Sequence, residues 1–232
     1  MTTSRRDRQR QQTLAEIRAA ARRLLTTKGP EAVTINAVAR EVGMSGPALY
    51  HYFAGHEELV GAVTADFYRE LTEEMEAARD AHDTPTLRLL AICRALRRWA
   101  TSHPAEFRWI FASRIAPPHR QPDSQWYLAG QRFGGVFLGQ IAELWRTRPF
   151  PVPDDLDESL REQLRKYAAT LGDQLPPEAL HVVMKCWIRL YGLVCMEVLN
   201  QLDYAYSDLE PVFEECLREL LPLLGLEYVN PG

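Results

Sequence analysis

Cysteine is sparse in this chain of 232 residues: Cys93, Cys186, Cys195 and Cys216 are the whole set, scattered, with no Cys-x-x-Cys pair and no histidines at ligand spacing. That scatter argues against a zinc ribbon or a redox pair, so the expectation is buried thiols in a reducing cytosol, with no metal and no cofactor. Also missing is any run of 18 apolar residues, and the arginine-rich amino end has no apolar stretch behind it. Neither a membrane span nor a signal peptide is expected, and a cytoplasmic location is. No stretch alternates as a half-buried strand would, which sets the class as all-α. Catalytic groups are lacking too. The nearest approach to a nucleophile elbow, Gly43-Met44-Ser45-Gly46-Pro47, lacks its second glycine and follows a helix rather than a strand. The acidic runs Glu73, Glu74, Glu76 and Asp154, Asp155, Asp157, Glu158 read as solvated faces. No enzyme is expected.

What is present is concentrated between Thr34 and Phe53, TINAVAREVGMSGPALYHYF. Ile35, Val38, Ala39 and Val42 recur at helical spacing and define one inward face. Thr34 stands where its hydroxyl can cap that helix, and Ser45 stands likewise before the next. Gly43 follows the last periodic residue, where a left-handed turn is cheap only for glycine. Pro47 fits the first turn of a helix of about seven residues. Leu49 and Phe53 face inward, which leaves Gly46, Pro47, Ala48, Tyr50, His51 and Tyr52 outward. A helix-turn-helix with that inventory fits a major groove roughly 12 Å wide, with tyrosine hydroxyls reaching phosphates and small residues allowing close approach to base edges.

Charge divides the chain in the same place. Residues 1–56 hold nine Lys or Arg (Arg5, Arg6, Arg8, Arg10, Arg18, Arg22, Arg23, Lys28, Arg40) against four acids (Asp7, Glu16, Glu31, Glu41), a net +5. The whole chain is −4, so residues 57–232 carry −9. A basic head on an acidic body turns the head toward a polyanion. The run Arg5 to Arg10 reads as a mobile arm, either a solubilising terminus or a contact to phosphate or the minor groove.

The segment Glu31 to Leu59, EAVTINAVAREVGMSGPALYHYFAGHEEL, resembles the DNA-binding domain of the TetR (tetracycline repressor) family of bacterial transcriptional regulators. The likeness covers roughly residues 12–62, with the Thr, the Ala-Arg-x-x-Gly turn, the Leu-Tyr-x-Tyr-Phe run and the Glu-Glu-Leu helix start all in register. It implies a homodimer that blocks a promoter at a palindromic operator of double-stranded DNA and releases it when a small-molecule effector binds the C-terminal domain. By the same resemblance Thr34, Tyr50 and Tyr52 would contact phosphates, and Asn36, Ser45, Gly46, Pro47, Ala48 and His51 would face bases. His56 stands where many relatives have a lysine, which weakens one phosphate contact. Gly46, Pro47 and Ala48 offer no side-chain donor. Polar readout therefore falls on Asn36, Ser45 and His51, with Pro47 and Ala48 suited to thymine methyls and DNA shape supplying the rest.

The domains expected are 1–56, for DNA binding, and 57–232, for ligand binding and dimerisation. A helix over about 12–28 carries Leu14, Ile17, Ala21, Leu24 and Leu25, and a long one from His56 to about Arg79 carries Leu59, Val60, Val63, Phe67 and Leu71. Prolines then punctuate helices over about 84–101, 102–115, 123–146, 155–171, 177–202 and 208–224, with Pro117 and Pro118 stopping the second. Phe107, Trp109, Ile110 and Phe111, then Trp126, Phe133, Phe137 and Trp145, then Met184, Trp187 and Tyr191 are either ordinary core or the lining of a ligand cavity. Phe107, Phe111, Trp126, Phe133, Phe137, Met184, Trp187 and Tyr191 are the candidate effector contacts, and Arg114, Arg189 or Gln140 could orient a polar end. Gly130, Gly134, Gly135 and Gly139 within one helix suggest either close helix contact or empty volume. Ser102 to Phe111, SHPAEFRWIF, and Trp187 to Glu197, WIRLYGLVCME, resemble the His-Pro and Trp-x-x-x-His-Gly helices of one variety of TetR ligand domain, with Tyr191 where histidine is usual. The last two helices have apolar stripes wide enough to pair with a second copy in a four-helix bundle. The rival to a ligand-released repressor is a ligand-independent architectural or activating DNA-binding protein. A membrane partner is not expected.

Overall fold

A computed structural model describes residues 4–112 and 123–230, in which ten α-helices and two 3-10 turns occur and no strand is found among the described residues. The helices are α1 Arg5–Lys28, α2 Ile35–Glu41, α3 Gly46–Leu49, α4 His56–Asp80, α5 Pro85–Ser102, α6 Pro104–Phe111, α7 Gln125–Thr147, α8 Glu158–Thr170, α9 Pro177–Val198 and α10 Glu210–Leu220. The expected end of the sixth helix near Ile115, the stop at Pro117 and Pro118, and Arg114 all lie outside the described residues. Two compact units form: the first comprises residues 1–72 and 102–133, the second residues 73–101 and 134–232.

The amino end corrects one expectation. The Arg5 to Arg10 run is the opening of α1, not an arm, and the helix starts seven residues before the position read from its apolar stripe. The physical reason is local. Ser4 Oγ accepts the Asp7 amide at 3.2 Å while the Asp7 carboxylate accepts the Ser4 amide at 3.3 Å, a capping box closed on both sides. Arginine and glutamine, which fill the turns behind it, are good helix formers.

In the first unit, Ile17, Ala20, Ala21, Leu24 and Leu25 of α1 are buried, as are Ile35, Val38 and Ala39 of α2, Leu49 and Phe53, and Leu59, Val60, Val63, Phe67 and Leu71 of α4. Arg22 ties three helices together: its Nε donates to Glu106 of α6 at 2.6 Å and its Nη1 to Glu70 of α4 at 2.6 Å, with the guanidinium 5.4 Å from the centre of the Phe67 ring. Glu106 is only 4% exposed. Such burial of a carboxylate is tolerable because the guanidinium neutralises it and donates a hydrogen bond to Oε1.

In the second unit, α5 turns Leu89, Leu90, Ile92, Leu96 and Trp99 inward, α9 turns Leu180, Leu190, Val194 and Val198, and α10 turns Phe213, Leu217 and Leu220. Thr84 caps α5 and Asp157 caps α8 through their side-chain oxygens. Arg94 holds Glu214 with two hydrogen bonds of 2.7 and 2.8 Å, and Arg97 holds Glu197 with two of 2.8 and 2.7 Å. Helix α9 is, by length and composition alone, apolar enough to cross a membrane. One third of that apolar window is buried in the core just described, and Lys185 and Arg189 interrupt its outer face. Of the thiols, Cys93 and Cys186 are buried and Cys195 and Cys216 half-buried, all four unpaired.

Candidate nucleic-acid interface

The turn that joins α2 to α3 is built by hydrogen bonds the sequence foreshadows. Gly43 takes φ 71°, its amide reaches the Arg40 carbonyl at 3.2 Å, and the Met44 amide reaches the Ala39 carbonyl at 2.8 Å. That pair of bonds is a Schellman closure and requires the left-handed residue. Thr34 Oγ1 accepts the Ala37 amide at 3.2 Å and Ser45 Oγ accepts the Ala48 amide at 3.3 Å, so both caps form, each contributing about 1 kcal/mol. Helix α3 proper covers only Gly46–Leu49, but the coil goes on: the Tyr52 and Phe53 amides both reach the Leu49 carbonyl, at 2.9 and 3.1 Å. The reading element therefore spans Gly46 to Phe53 with a tightened second half.

Thr34, Asn36, Ser45, Pro47, Tyr50 and His51 are exposed, while Gly46, Ala48 and Tyr52 are half-buried. Tyr50 keeps 55% of its surface in solvent. Capping leaves the Thr34 and Ser45 hydroxyl protons available as donors. Asn36 and Gly46 interlock: a Cβ at position 46 would lie 2.8 Å from Asn36 Oδ1, so glycine makes the notch in which that amide rests. His56 opens α4, exposed, with Nε2 2.7 Å from the Val33 carbonyl, so the ring is engaged with its own chain. A residue outside the sequence-derived set joins this surface: the Arg10 guanidinium lies 5.4 Å from the centre of the Tyr52 ring.

Residues 17–63 match the family model of bacterial regulatory proteins, tetR family, and residues 89–220, more than half of the chain, match the tetracyclin repressor-like C-terminal domain. This chain belongs to the TetR family. The HTH-type transcriptional regulators Rv1816 of Mycobacterium tuberculosis (strain ATCC 25618 / H37Rv) and Mb1846 of Mycobacterium bovis (strain ATCC BAA-935 / AF2122/97) are each 31% identical to it over 226 residues, covering 93% of this chain and 94% of theirs. The crystal structure of the regulatory protein SCO4313 superposes with a TM-score of 0.71 at 30% identity, over 95% of this chain and all of that one. A TetR family transcription regulator from Marinobacter aquaeolei VT8 shares the fold at a TM-score of 0.60 and 14% identity, over 92% of this chain and 96% of its own. A DNA-binding transcriptional regulator of the TetR family is what this helix-turn-helix serves.

The candidate effector residues of this TetR-family chain fall into two groups, one in each unit. In the first, Phe107 and Phe111 sit 4.8 Å apart and Phe111 lies 5.6 Å from Phe133. Tyr68 of α4, off the apolar stripe and therefore missed by periodicity, completes that cluster at 5.8 Å from Phe111 and 5.5 Å from Phe133. Burial pushes its phenol up to about 12. Trp126 is half-buried, its indole Nε1 buried without an acceptor. In the second unit, Phe137 meets Trp187 edge-on at 5.4 Å, and Trp187 stacks on Tyr191 at 5.4 Å with Met184 one turn before. Gln140 is 7% exposed and its Nε2 has no acceptor. Arg189 is an ion-pair partner of Glu219. The glycines divide: Gly130 faces the Tyr68 ring at 3.7 Å, whereas Gly134, Gly135 and Gly139 meet nothing within 4 Å and are exposed.

Proposed function

We propose that the chain is a homodimeric repressor of a palindromic operator, released by a small hydrophobic or aromatic ligand, with residues 1–56 as DNA-binding domain and 57–232 as ligand-binding and dimerisation domain. The observation that carries the reading is the short element Gly46 to Phe53, which exposes small and hydrogen-bonding side chains while Leu49 and Phe53 anchor it from behind. In this reading Thr34, Tyr50 and Tyr52 touch phosphates, and Asn36, Ser45, Gly46, Pro47, Ala48 and His51 face bases. His56 is left a minor role, since its ring is occupied by the Val33 carbonyl. One such element spans only a few base pairs. Two held about 34 Å apart reach successive major-groove faces, which favours a symmetric pair.

For the pairing surface, α9 and the segment after α10 leave Ile188, Met196, Leu199 and Leu223 exposed, at 62, 38, 36 and 37%. Exposed apolar side chains on the outer face of core helices suit a second copy. For the ligand, two buried donors without a partner, Trp126 Nε1 in the first unit and Gln140 Nε2 in the second, support a largely apolar molecule that carries an acceptor. Each orphan donor costs about 1–3 kcal/mol until an acceptor reaches it.

Selection of bound duplexes from a random pool tests the DNA half, and a recovered site with two-fold symmetry is the expected result. A non-symmetric site, or sedimentation as a single subunit at binding concentrations, overturns the dimeric reading. Tyr50→Phe should weaken binding to every duplex and leave the preferred site unchanged, because a phosphate contact carries no sequence information.

A further inference from the structure

The first two turns of α1 carry an uncommon concentration of unanswered charge. Farther along the helix each arginine has a carboxylate: Arg18 has Asp66, Arg22 has Glu70 and Glu106, and Arg23 has Glu41. Arg5, Arg6, Arg8 and Arg10 have none among the described residues, and all four are exposed. The acid in that stretch, Asp7, is spent on capping the Ser4 amide. Four bare cations on two turns repel one another, an arrangement that costs stability unless an anion answers it.

Helix geometry divides the four. At 100° per residue, Arg6 and Arg10 share the face that continues into Leu14 and Ile17, and Ile17 is fully buried against the unit's core. Arg5 and Arg8 lie on the opposite side. The contact of Arg10 with the Tyr52 ring fixes where the Arg6–Arg10 edge points: toward the surface that bears Tyr50 and Tyr52. The two residues are separated by about 6 Å along the axis, a rise of about 1.5 Å for each of four residues, on a rigid rod rather than a floppy tail.

We propose that Arg6 and Arg10 form a second, sequence-independent contact to the sugar–phosphate backbone, extending the footprint of the reading element onto phosphates that flank the groove it enters. Arg10 also holds the Tyr52 ring by cation–π stacking, so the tyrosine meets the backbone already oriented. Rigidity matters here. A preformed pair loses less conformational entropy on binding than a disordered arm carrying the same charge. The proposal rests on the reading of residues 34–53 as the DNA-contacting element.

The test measures the dependence of log Kobs on log[KCl] by anisotropy, using a labelled duplex of the selected site and a scrambled duplex, over about 50 to 200 mM salt. Each phosphate contact contributes a slope of about 0.9, so Arg6→Ala with Arg10→Ala together should flatten the slope by about 1.8 on both duplexes. Arg5→Ala with Arg8→Ala removes the same charge from the opposite face and should leave the slope nearly unchanged. Equal flattening by both pairs would mean diffuse charge and overturn the assignment, as would no flattening by the first pair. Altered base preference at flanking positions in a repeated selection would also overturn it, in favour of groove insertion. If the unsubstituted protein itself binds neither duplex with salt dependence, the reading of residues 34–53 falls first.

Discussion

Arg22→Met isolates a nearly sealed carboxylate, Glu106, that depends on a single partner among the described residues. The guanidinium donates to Glu106 at 2.6 Å and to both Glu70 oxygens at 2.6 and 3.2 Å. Removing one member of a buried pair costs about 3–5 kcal/mol, against roughly 0–1 for an exposed pair. This pair lies between those limits, because Glu106 keeps 5% of its side-chain surface and Arg22 keeps 32%. Water can enter from the arginine side and solvate part of the stranded charge. An expected loss of about 2–3 kcal/mol follows, part of it from the contact with Phe67, which methionine keeps as packing but not as cation–π attraction. Because the chain has two units, global melting need not be two-state, so the proper readout is local. Amide hydrogen exchange in α1 and α6 peptides should accelerate by roughly 30- to 150-fold, at 1.4 kcal/mol per factor of ten. Adding Glu106→Gln to the Arg22→Met protein removes the stranded charge and should restore part of the protection. Unchanged exchange in Arg22→Met, or a double variant worse than the single one, would refute the view that burial of Glu106 makes this network matter.

Three further expectations can be checked directly. Gly46→Ala should leave amide exchange in α2 and α3 nearly unchanged, since a helix-propensity gain of about 0.5–1 kcal/mol offsets the displacement of the Asn36 amide, but should alter the selected site by a factor of about 5 to 150 at one base position; an unchanged site would show that Asn36 reads nothing. Burial pushes the Cys93 thiol up to about 12 and the Cys186 thiol to about 11, so at pH 8 their thiolate fractions are about 10⁻⁴ and 10⁻³, and alkylation of either in the folded protein should be far slower than in urea; rapid labelling of Cys93 would contradict this. Arg94 and then the Tyr228 hydroxyl hold Glu214 below the usual carboxylate range. Because the folded value is depressed, the stabilisation is present above the unfolded carboxylate pKa and is lost as pH falls through the folded one. The gap between wild-type and Arg94→Met urea midpoints should therefore be full at pH 7 and narrow as acid is added; a gap that widened in acid would reverse the assignment.

The helix-turn-helix was legible because its determinants are local: spacing for Ile35, Val38 and Ala39, caps at Thr34 and Ser45, a left-handed position at Gly43. Each sits within a few residues of what it stabilises. The proline-punctuated helices were legible for the same reason. The start of α1 lies outside its apolar stripe, because a dense cationic run masks the weaker signal of a serine three residues before an aspartate. The rest depends on distance in sequence. Arg10 meets Tyr52 across 42 positions and Arg22 meets Glu106 across 84, and only the packing of α1 with α4, α6 and the turn after α3 could bring them together. Tyr68 escaped because a residue off the main stripe reads as surface until a second helix covers it. The open space beside Gly134, Gly135 and Gly139, and the occupied space beside Gly130, were likewise beyond the reach of spacing alone.

The notch at position 46 has a consequence for how such regulators diversify. An alanine there needs one nucleotide change, keeps the helix, and swivels the Asn36 amide, the proposed base contact on a different helix. If Asn36 is the base contact proposed above, promoter preference is adjustable from position 46 without loss of the folded helix-turn-helix, through a residue that has no side chain of its own to offer a base.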